Sequence, residues 1–204
     1  RTLPQPFSSE SASAIKQEYG PASIVVGNFV YANIDDLDDV TEGIRTLLSD
    51  DGIFTFETNY RVDVFEKYLI ETINHEHLSY FTVKPLARFF EKHDLELIRV
   101  AHVASKGGSL RCVAQLKGGQ KKTQPSVGEH IASEEALNVY DTDFYKGCAS
   151  HIRSVRASLR TMLEDIRSEG KTVAGYGTSI GATIFIYQLG LGETIRFLVD
   201  DDPY

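Results

Sequence analysis

In the first part of the chain, short apolar runs alternate with a segment whose apolar residues have helical spacing. Residues 22–28 form a short apolar run, which is typical of a strand buried in a parallel sheet. Residues 37–48 place apolar side chains three and four positions apart, which predicts a helix with aspartates near the positive end of its dipole. A turn at Asp51-Gly52 leads into a second strand over 53–57. Strand, helix and strand in this order predict a βαβ unit.

The next segments predict a helix followed by a hairpin. Residues 83–93 have helical spacing, and Pro85 is acceptable in the first turn of a helix. Residues 94–100 and 109–116 both alternate as strands do, and they are joined through Lys106-Gly-Gly108. We therefore expect an antiparallel hairpin at the end of this sheet.

Residues beyond the hairpin predict a boundary and a second α/β region. Residues 119–129 are rich in Gly, Lys, Gln and Pro, a linker composition that divides a domain over 1–118 from one over 130–204. From about Ser133 to Glu169 apolar residues keep a three- and four-residue rhythm, which predicts one long amphipathic helix. We expect its stripe to be core or an interdomain seam, and its members are Phe144, Cys148, Ile152, Val155, Leu159, Met162 and Ile166.

A glycine-rich segment follows this helix. Residues 171–181 run from a strand into a helix through closely spaced glycines, and 195–200 form the next strand, which ends at Asp200. Glycines in such a turn let the backbone approach a phosphate, and an acidic residue after the next strand can hold a ribose hydroxyl. A dinucleotide site and a tight turn without a ligand both remain open here.

Composition excludes several classes of function. The 204 residues carry a net charge of −8, and no basic cluster is longer than Lys121-Lys122, so nucleic acid and anionic membranes are not expected partners. No apolar run approaches the ~20 residues that span a bilayer. The two cysteines, Cys112 and Cys148, predict neither a disulfide framework nor a thiolate zinc site, and a reducing cytoplasm fits them best. The chain opens at Arg1 without a methionine, and we expect it to be a piece of a longer protein.

The segment from Glu71 to Tyr80 carries the strongest chemical signal. Its Asn-His-Glu-His run places Glu76 between His75 and His77. Histidine as a residue type titrates near ~6.5, and a neighbouring carboxylate can orient the imidazolium, so this run indicates proton transfer. A metal pair formed by the two histidines, or solvated loop histidines, are the alternatives. His102 and His130 lack this context and are expected to be exposed or incidental, while His151, which lies off the apolar stripe of the long helix, is expected to be a surface histidine.

Several separated motifs resemble one enzyme family. The stretch from Glu57 through residues 71–81, then 85–93 and Gly107-Gly-Ser-Leu-Arg111, looks like the S-adenosylmethionine-dependent C-methyltransferases that act on nucleotide-linked keto-sugars in deoxysugar biosynthesis. The resemblance covers roughly residues 15–204. It implies an α/β fold, with a partial class I methyltransferase (Rossmann-like) sheet followed by a second Rossmann-like C-terminal domain.

The resemblance implies a mechanism as well. Glu76 and His77 match the Glu and His of the family's Tyr-x-Glu-His motif, while Asn74 stands where the family has tyrosine. His77 would remove the proton from the carbon alpha to the sugar ketone, Glu76 would assist, and the enolate would accept a methyl group from S-adenosylmethionine. Asn74 can still donate a hydrogen bond through its amide, and His75 is a further candidate.

Other positions follow from the same resemblance. Asn28 and Asn33 fall near the cofactor, with Asn33 in place of a family histidine. The substrate side would comprise Tyr80, Ser109, Arg111, Tyr176, Gly177 and Ser179. A guanidinium at Arg111 could fork onto a diphosphate, although a surface strand residue is an equal alternative.

The chain departs from the family at its beginning. The family's zinc-binding opening domain and the glycine-rich loop for S-adenosylmethionine should lie before Ile24, and nothing there matches. We expect no metal site here and weak binding of S-adenosylmethionine by this chain alone. A nucleotide- or dinucleotide-binding module and a non-catalytic methyltransferase relative remain as alternatives. The expected partner is a nucleotide-sugar, and the sequence leaves open whether the protein forms a homo-oligomer.

Overall fold

A computed structural model describes residues 1–202, which fold as two compact units. The first unit comprises residues 1–63 and 76–138, and the second comprises residues 64–75 and the chain from Val139 onward. Both contain strands and helices, so the predicted α/β class is confirmed.

The elements follow one another closely along the chain. Up to residue 138 they are α1 (Ser9–Tyr19), β1 (Ala22–Asn28), α2 (Leu37–Leu47), β2 (Leu48–Asn59), α3 (Arg61–Glu66), α4 (Val83–Lys92), β3 (Leu95–Val103), β4 (Ser109–Leu116) and α5 (Pro125–Ala136). From Val139 they are α6 (Thr142–Ser168), β5 (Val173–Tyr176), α7 (Ile180–Leu189) and β6 (Ile195–Val199). Short 3₁₀ turns occur at Tyr31–Asn33, Ile70–Thr72 and Ser105–Gly107.

The first unit is built on a four-stranded sheet with the order β1-β2-β4-β3. Strands β1 and β2 are parallel, and Val25 pairs with Phe54. Strand β4 is antiparallel to both of its neighbours, and Cys112 lies between Phe56 of β2 and Val100 of β3. The predicted βαβ unit and the predicted hairpin are therefore both confirmed.

An aromatic cluster fills the core of this unit. Phe54 and Phe56 are both buried. They are two positions apart on β2, so their side chains lie on the same face of the sheet. The Tyr31 ring lies 4.9 Å from the Phe56 ring, centroid to centroid, and Phe90 of α4 meets Phe56 edge-on at 5.8 Å. Burial raises the pKa of Tyr31, whose hydroxyl is hydrogen-bonded to Thr41. These contacts fix the 3₁₀ turn after β1 against the sheet.

The aspartates at the start of α2 cap the helix and form ion pairs. Asp36 caps the helix, because its carboxylate accepts the backbone N–H of Asp39 at 2.9 Å. Asp38 pairs with Lys92 and His93, which lower the pKa of its carboxyl group. The expected effect of the helix dipole thus acts together with specific hydrogen bonds.

Two predicted boundaries were wrong. The helix expected over 133–169 is two helices, because α5 ends at Ala136 and α6 begins at Thr142, after Asn138 with a positive φ of 54°. The linker expected at 119–129 is irregular only as far as Gln124, because Pro125 starts α5. Helix α1 was not predicted, although the capping box of Ser8 and Ser11 marks its start.

The second unit has a smaller core. Its buried members are Ile70, Leu163, Leu189 and Leu191. Strands β5 and β6 are parallel and joined by α7, as predicted. The stripe expected on α6 is only partly core. Ile152, Leu159 and Ile166 pack against the cluster, whereas Val155 and Met162 are 41% and 51% exposed.

A buried carboxylate ties α5 to α4. Glu134 is 0% exposed and accepts the backbone N–H of Val83 at 2.6 Å, the N–H of Lys84 at 3.2 Å and the Tyr60 hydroxyl at 3.1 Å. These are the orphan N–H groups of the first turn of α4, so Glu134 acts as its cap from another helix.

We expect Glu134→Ala to lower the free energy of unfolding by about 2–3 kcal/mol, because buried donors lose their partner. Urea denaturation of both proteins measures the difference. The neighbouring Glu135→Ala removes only an exposed ion pair with Lys84 and should cost less than about 1 kcal/mol. Equal losses in the two variants would show that the cap is unimportant.

Among residues 1–202, the helices are too short or too polar to cross a bilayer.

Candidate active site

The carboxyl ends of β1 and β2 form the edge at which site residues gather in the first unit. Asn28 is the last residue of β1, and its register partner on β2 is Glu57. Because β1 and β2 are parallel, both ends open at the same edge of the sheet. In open α/β sheets, ligands bind at this edge.

A strained turn leaves the end of β1. Phe29 has a φ of 53°, which is uncommon for a residue with a side chain, and its N–H donates to the Glu57 carbonyl at 2.7 Å. The chain then turns through Tyr31 to Asn33, whose side chain is exposed. Strained backbone of this kind is often found at functional sites.

Two hydrogen bonds dock the histidine segment on this turn. The N–H groups of Leu78 and Ser79 both donate to the carbonyl of Ala32, at 2.9 and 3.0 Å. They dock the chain directly after His77 on the carbonyl directly before Asn33. The half-buried His77 ring meets the Tyr80 ring edge-on at 6.2 Å, and Glu76 is exposed. Among the predicted site residues, Asn28 thus ends β1 and Asn33 ends the turn that follows it. His77 comes directly before the segment docked on that turn, and the Tyr80 ring lies against the His77 ring.

Glu57 links the hairpin turn to this edge. The residue is 5% exposed, and its carboxylate accepts the Ser105 hydroxyl and pairs with Arg111 at 2.9 Å. The hydrogen bond from Ser105, followed by that from Arg111, lowers the pKa of Glu57. Lys106 adds a cation 3.9 Å from the centre of the Phe29 ring. Sequence reasoning assigned no role to Glu57, Ser105 or Lys106. The sequence indicated a role for these residues only through their position inside or beside the motifs.

Ser109 and Arg111 differ in what they present to a ligand. Ser109 is fully buried, and its hydroxyl donates to the Ser105 carbonyl at 2.9 Å, so it shapes the hairpin turn. The Arg111 side chain is 59% exposed, with Nε and one terminal nitrogen directed at Glu57. A carboxylate thus already engages the guanidinium that a diphosphate would need.

The boundary between the units divides the Asn-His-Glu-His run. Asn74 and His75 belong to the second unit, whereas Glu76 and His77 belong to the first. The Asn74 amide donates to the Glu71 carbonyl at 3.3 Å, and His75 is exposed.

The glycine-rich loop of the second unit is closed by a carboxylate. Tyr176 is 74% exposed at the end of β5, Gly177 has a φ of +100°, and Ser179 caps α7. Asp200 accepts the N–H and the hydroxyl of Thr178 at 2.6 and 2.8 Å. Hydrogen bonds from Asp202 and Thr178 lower the pKa of Asp200. An anionic side chain therefore uses a backbone donor that a bound phosphate would need.

The other histidines have identifiable partners. His102 is exposed, as expected, and its Nε2 is hydrogen-bonded to the buried carboxylate of Asp63. His130 is hydrogen-bonded to the Ser126 carbonyl at 2.7 Å, and His151 stacks on Tyr68 with ring centres 3.9 Å apart. Within residues 1–202, no group of three or more His, Cys, Asp or Glu side chains is placed to hold a metal ion.

Comparison of the sequence with known proteins gives a family match and a curated relative. Residues 104–204 match the family model of the C-methyltransferase C-terminal domain. The chain is also 33% identical over 200 residues to the C-methyltransferase NovU of Streptomyces niveus, a match that covers 98% of this chain and 48% of NovU. The chain thus spans about half the length of the curated relative that it matches.

Solved structures give more distant likenesses. A SAM-dependent methyltransferase from Anabaena variabilis has 16% identity and a TM-score of 0.43, over 57% of this chain and 58% of its own. The structure of M1.HpyAVI has 13% identity and a TM-score of 0.35, over 63% and 70%. These scores are too low to establish a shared fold. The sequence matches therefore carry the comparison: residues 104–204 match the family model of the C-methyltransferase C-terminal domain, and the chain is similar in sequence to a C-methyltransferase.

Proposed function

We propose that this chain is the substrate-activating part of an S-adenosylmethionine-dependent C-methyltransferase that acts beside the ketone of a nucleotide-linked deoxy-sugar. The observation that carries this proposal is the double hydrogen bond from Leu78 and Ser79 to Ala32, which holds His77 at the carboxyl edge of β1 and β2. The match to NovU over nearly the whole chain supports the same class of reaction.

The residues at this edge fit one side of the cofactor. Asn28 and Asn33 are exposed there, and their amides can both donate and accept hydrogen bonds to the polar groups of S-adenosylmethionine. No glycine-rich loop lies between residues 1 and 28 to hold its carboxylate and ribose. When bound, S-adenosylmethionine supplies an electrophilic methyl group.

His77 would act as the general base. A half-buried imidazole held through the backbone of the next two residues can approach the carbon alpha to a ketone without a large loss of side-chain freedom. Removal of the proton gives an enolate, which is the nucleophile for methyl transfer. Glu76, directly before His77 and exposed, would orient the substrate or assist the proton transfer.

Charged and aromatic groups of the first unit would receive the substrate. The Tyr80 hydroxyl and the Lys106 ammonium can donate to the ketone oxygen or to a phosphate. Glu57 already engages Nε and one terminal nitrogen of Arg111, so Arg111 would bind the substrate only through its remaining N–H groups. For the second unit, Tyr176, Gly177 and Ser179 remain proposed contacts of the nucleotide.

The direct test is methyl transfer from labelled S-adenosylmethionine to a nucleotide-linked keto-sugar. We would assay the chain alone and a chimaera in which it replaces the 200 matched residues of NovU. We expect turnover by the chimaera and little by the chain alone. A folded chimaera without turnover would favour a non-catalytic relative. Binding of a dinucleotide by the chain alone would favour the nucleotide-binding module.

A further inference from the structure

A basic groove lies within the second unit, between α6, α7 and the loop that follows α7. It has a volume of about 670 Å³ and is lined from α6 by Arg156, Arg160 and Arg167. These arginines are four and seven residues apart, so they share one face of the helix. The net charge of the whole chain is −8, so this face has the opposite sign to the chain as a whole. Such a groove attracts anions.

The positive charge continues into an adjoining cavity of about 190 Å³. This cavity shares Arg167 with the basic groove and adds Arg196 and Lys171, which pairs with Glu169 at 2.5 Å. Together the two linings contain five cationic side chains and two carboxylates. They therefore keep an excess of positive charge even with Lys171 neutralised by Glu169.

The arginines of the basic groove are only weakly engaged by the protein itself. Arg160 faces Glu164 at 3.6 Å, and both side chains are more than half exposed, so this ion pair is weak. Within residues 1–202, neither Arg156 nor Arg167 forms an ion pair with a carboxylate. An anion that binds here would gain hydrogen bonds without first displacing a strong partner.

Helix α7 provides space and further binding groups. Gly190 ends α7 with a φ of +67°, and a Cβ built there would lie 2.6 Å from Nη2 of Arg156. The missing side chain thus lets the Arg156 guanidinium lie against the end of α7. Thr183 and Tyr187 line the groove from the same helix, and Tyr187 is 80% exposed. A hydroxyl can donate to a phosphate, and an uncovered aromatic ring can stack on a planar group.

We propose that the basic groove binds a small molecule that carries a diphosphate group. Arg156 and Arg160 are about 6 Å apart along the helix axis, because each residue adds about 1.5 Å. Each guanidinium can therefore fork onto one of two linked phosphates. The groove is separate from the glycine-rich loop, which precedes α7 and whose Thr178 N–H is already bonded to Asp200.

Calorimetric titration of the chain with inorganic diphosphate tests this site. We expect one ion to bind per chain, more tightly than inorganic phosphate, because the second phosphate adds charge-assisted hydrogen bonds. Arg160→Gln should weaken this binding at least about tenfold, the usual loss for a hydrogen bond to a charged group. The matched control is Arg153→Gln, which removes the same charge from an exposed position of α6 outside the groove. It should change the affinity less than about twofold.

Glu193→Gln should have the opposite effect. Glu193 lines both cavities, and its carboxylate repels an anion bound there. The variant should bind inorganic diphosphate about two to five times more tightly. Urea denaturation should show equal stability for this variant, Arg160→Gln and the unchanged chain, since both side chains are exposed.

Uridine diphosphate in place of inorganic diphosphate distinguishes two sources of the diphosphate group. Tighter binding of uridine diphosphate, with the gain lost in Tyr187→Ala, would support a nucleotide as the ligand. Equal affinities for the two probes would support recognition of the diphosphate group alone. In both cases Arg160→Gln should weaken the binding.

Four outcomes would overturn the proposal. The first is the absence of saturable diphosphate binding, and the second is an equal loss in Arg160→Gln and Arg153→Gln, which would show attraction by net charge alone. The third is tighter binding of a hexaglutamate peptide with the same dependence on Arg160, which would assign the groove to an acidic polypeptide. The fourth is a folded NovU chimaera that does not bind diphosphate, because other parts of the protein would then cover the groove. All these measurements are of binding, so they stand apart from the outcome of the methyl-transfer assay.

Discussion

His77→Asn is expected to lower the rate of methyl transfer by the NovU chimaera by about two to four orders of magnitude, the usual contribution of a general base. Asparagine keeps a polar side chain of similar reach but cannot accept a proton near neutral pH. The backbone bonds from Leu78 and Ser79 to Ala32 do not involve the His77 side chain, so the segment should stay docked. Turnover of a nucleotide-linked keto-sugar at saturating substrate measures the loss.

A second readout isolates the proton transfer. In deuterated water without methyl donor, the unchanged chimaera should exchange the proton alpha to the ketone, and the variant should not. His130→Asn is the matched control, because His130 lies in α5 and is bonded to Ser126 of the same helix. It should retain both activities. Proton exchange at the normal rate in His77→Asn would remove His77 as the base.

Gly108→Ala is expected to cost about 3 kcal/mol or more in the free energy of unfolding. Gly108 is buried with a φ of +151°, and a Cβ there would overlap the Asp63 carboxylate, which is itself buried and bonded to His102. Movement of Asp63 would break that bond, and movement of the hairpin turn would disturb the hydrogen bond from the Tyr60 N–H to the Gly108 carbonyl at 3.1 Å. Urea denaturation of the chain measures the cost.

Variants at two other glycines distinguish the steric overlap with Asp63 from the cost of a positive φ. Gly118 has a φ of +75° with no atom within 4 Å of a built Cβ, so Gly118→Ala should cost only about 1 kcal/mol. Gly128 lies inside α5 with open space around it, and Gly128→Ala should stabilise the chain by up to about 1 kcal/mol. If Gly108→Ala costs no more than Gly118→Ala, the close approach to Asp63 is unimportant.

Local periodicity was sufficient for most elements of the first unit. The three- and four-residue spacing of α2 and the alternation of β3 and β4 each need only one buried face, and these elements formed where predicted. Strand β1 also formed at its apolar run, but the prediction that this strand is buried was wrong, because Ile24 and Val26 are 60% and 61% exposed. The break between α5 and α6 was not predicted, because the capping residue there was overlooked. There the three-residue rhythm continues across Asn138 and Asp141, although the Asp141 carboxylate caps α6 by accepting the N–H of Asp143 at 3.0 Å.

The candidate site was likewise predictable from the sequence only in part. The motif around His77 was visible in the sequence, because residue types and spacing carry it. Its placement was not visible, because it depends on two N–H groups reaching the carbonyl of Ala32, more than forty positions earlier in the chain. The engagement of Arg111 by Glu57 likewise depends on the pairing of β2 with β4.

The sequence alone therefore determined the types of element, the α/β class and the kinship with C-methyltransferases, since these depend on local periodicity and residue identity. Only the tertiary structure decided which polar groups meet. Glu134 caps α4, Asp63 binds His102, and β4 pairs with both β2 and β3, because each arrangement depends on contacts between residues distant in the chain. Such contacts form only when burial and hydrogen bonding together outweigh the entropy of closing long loops.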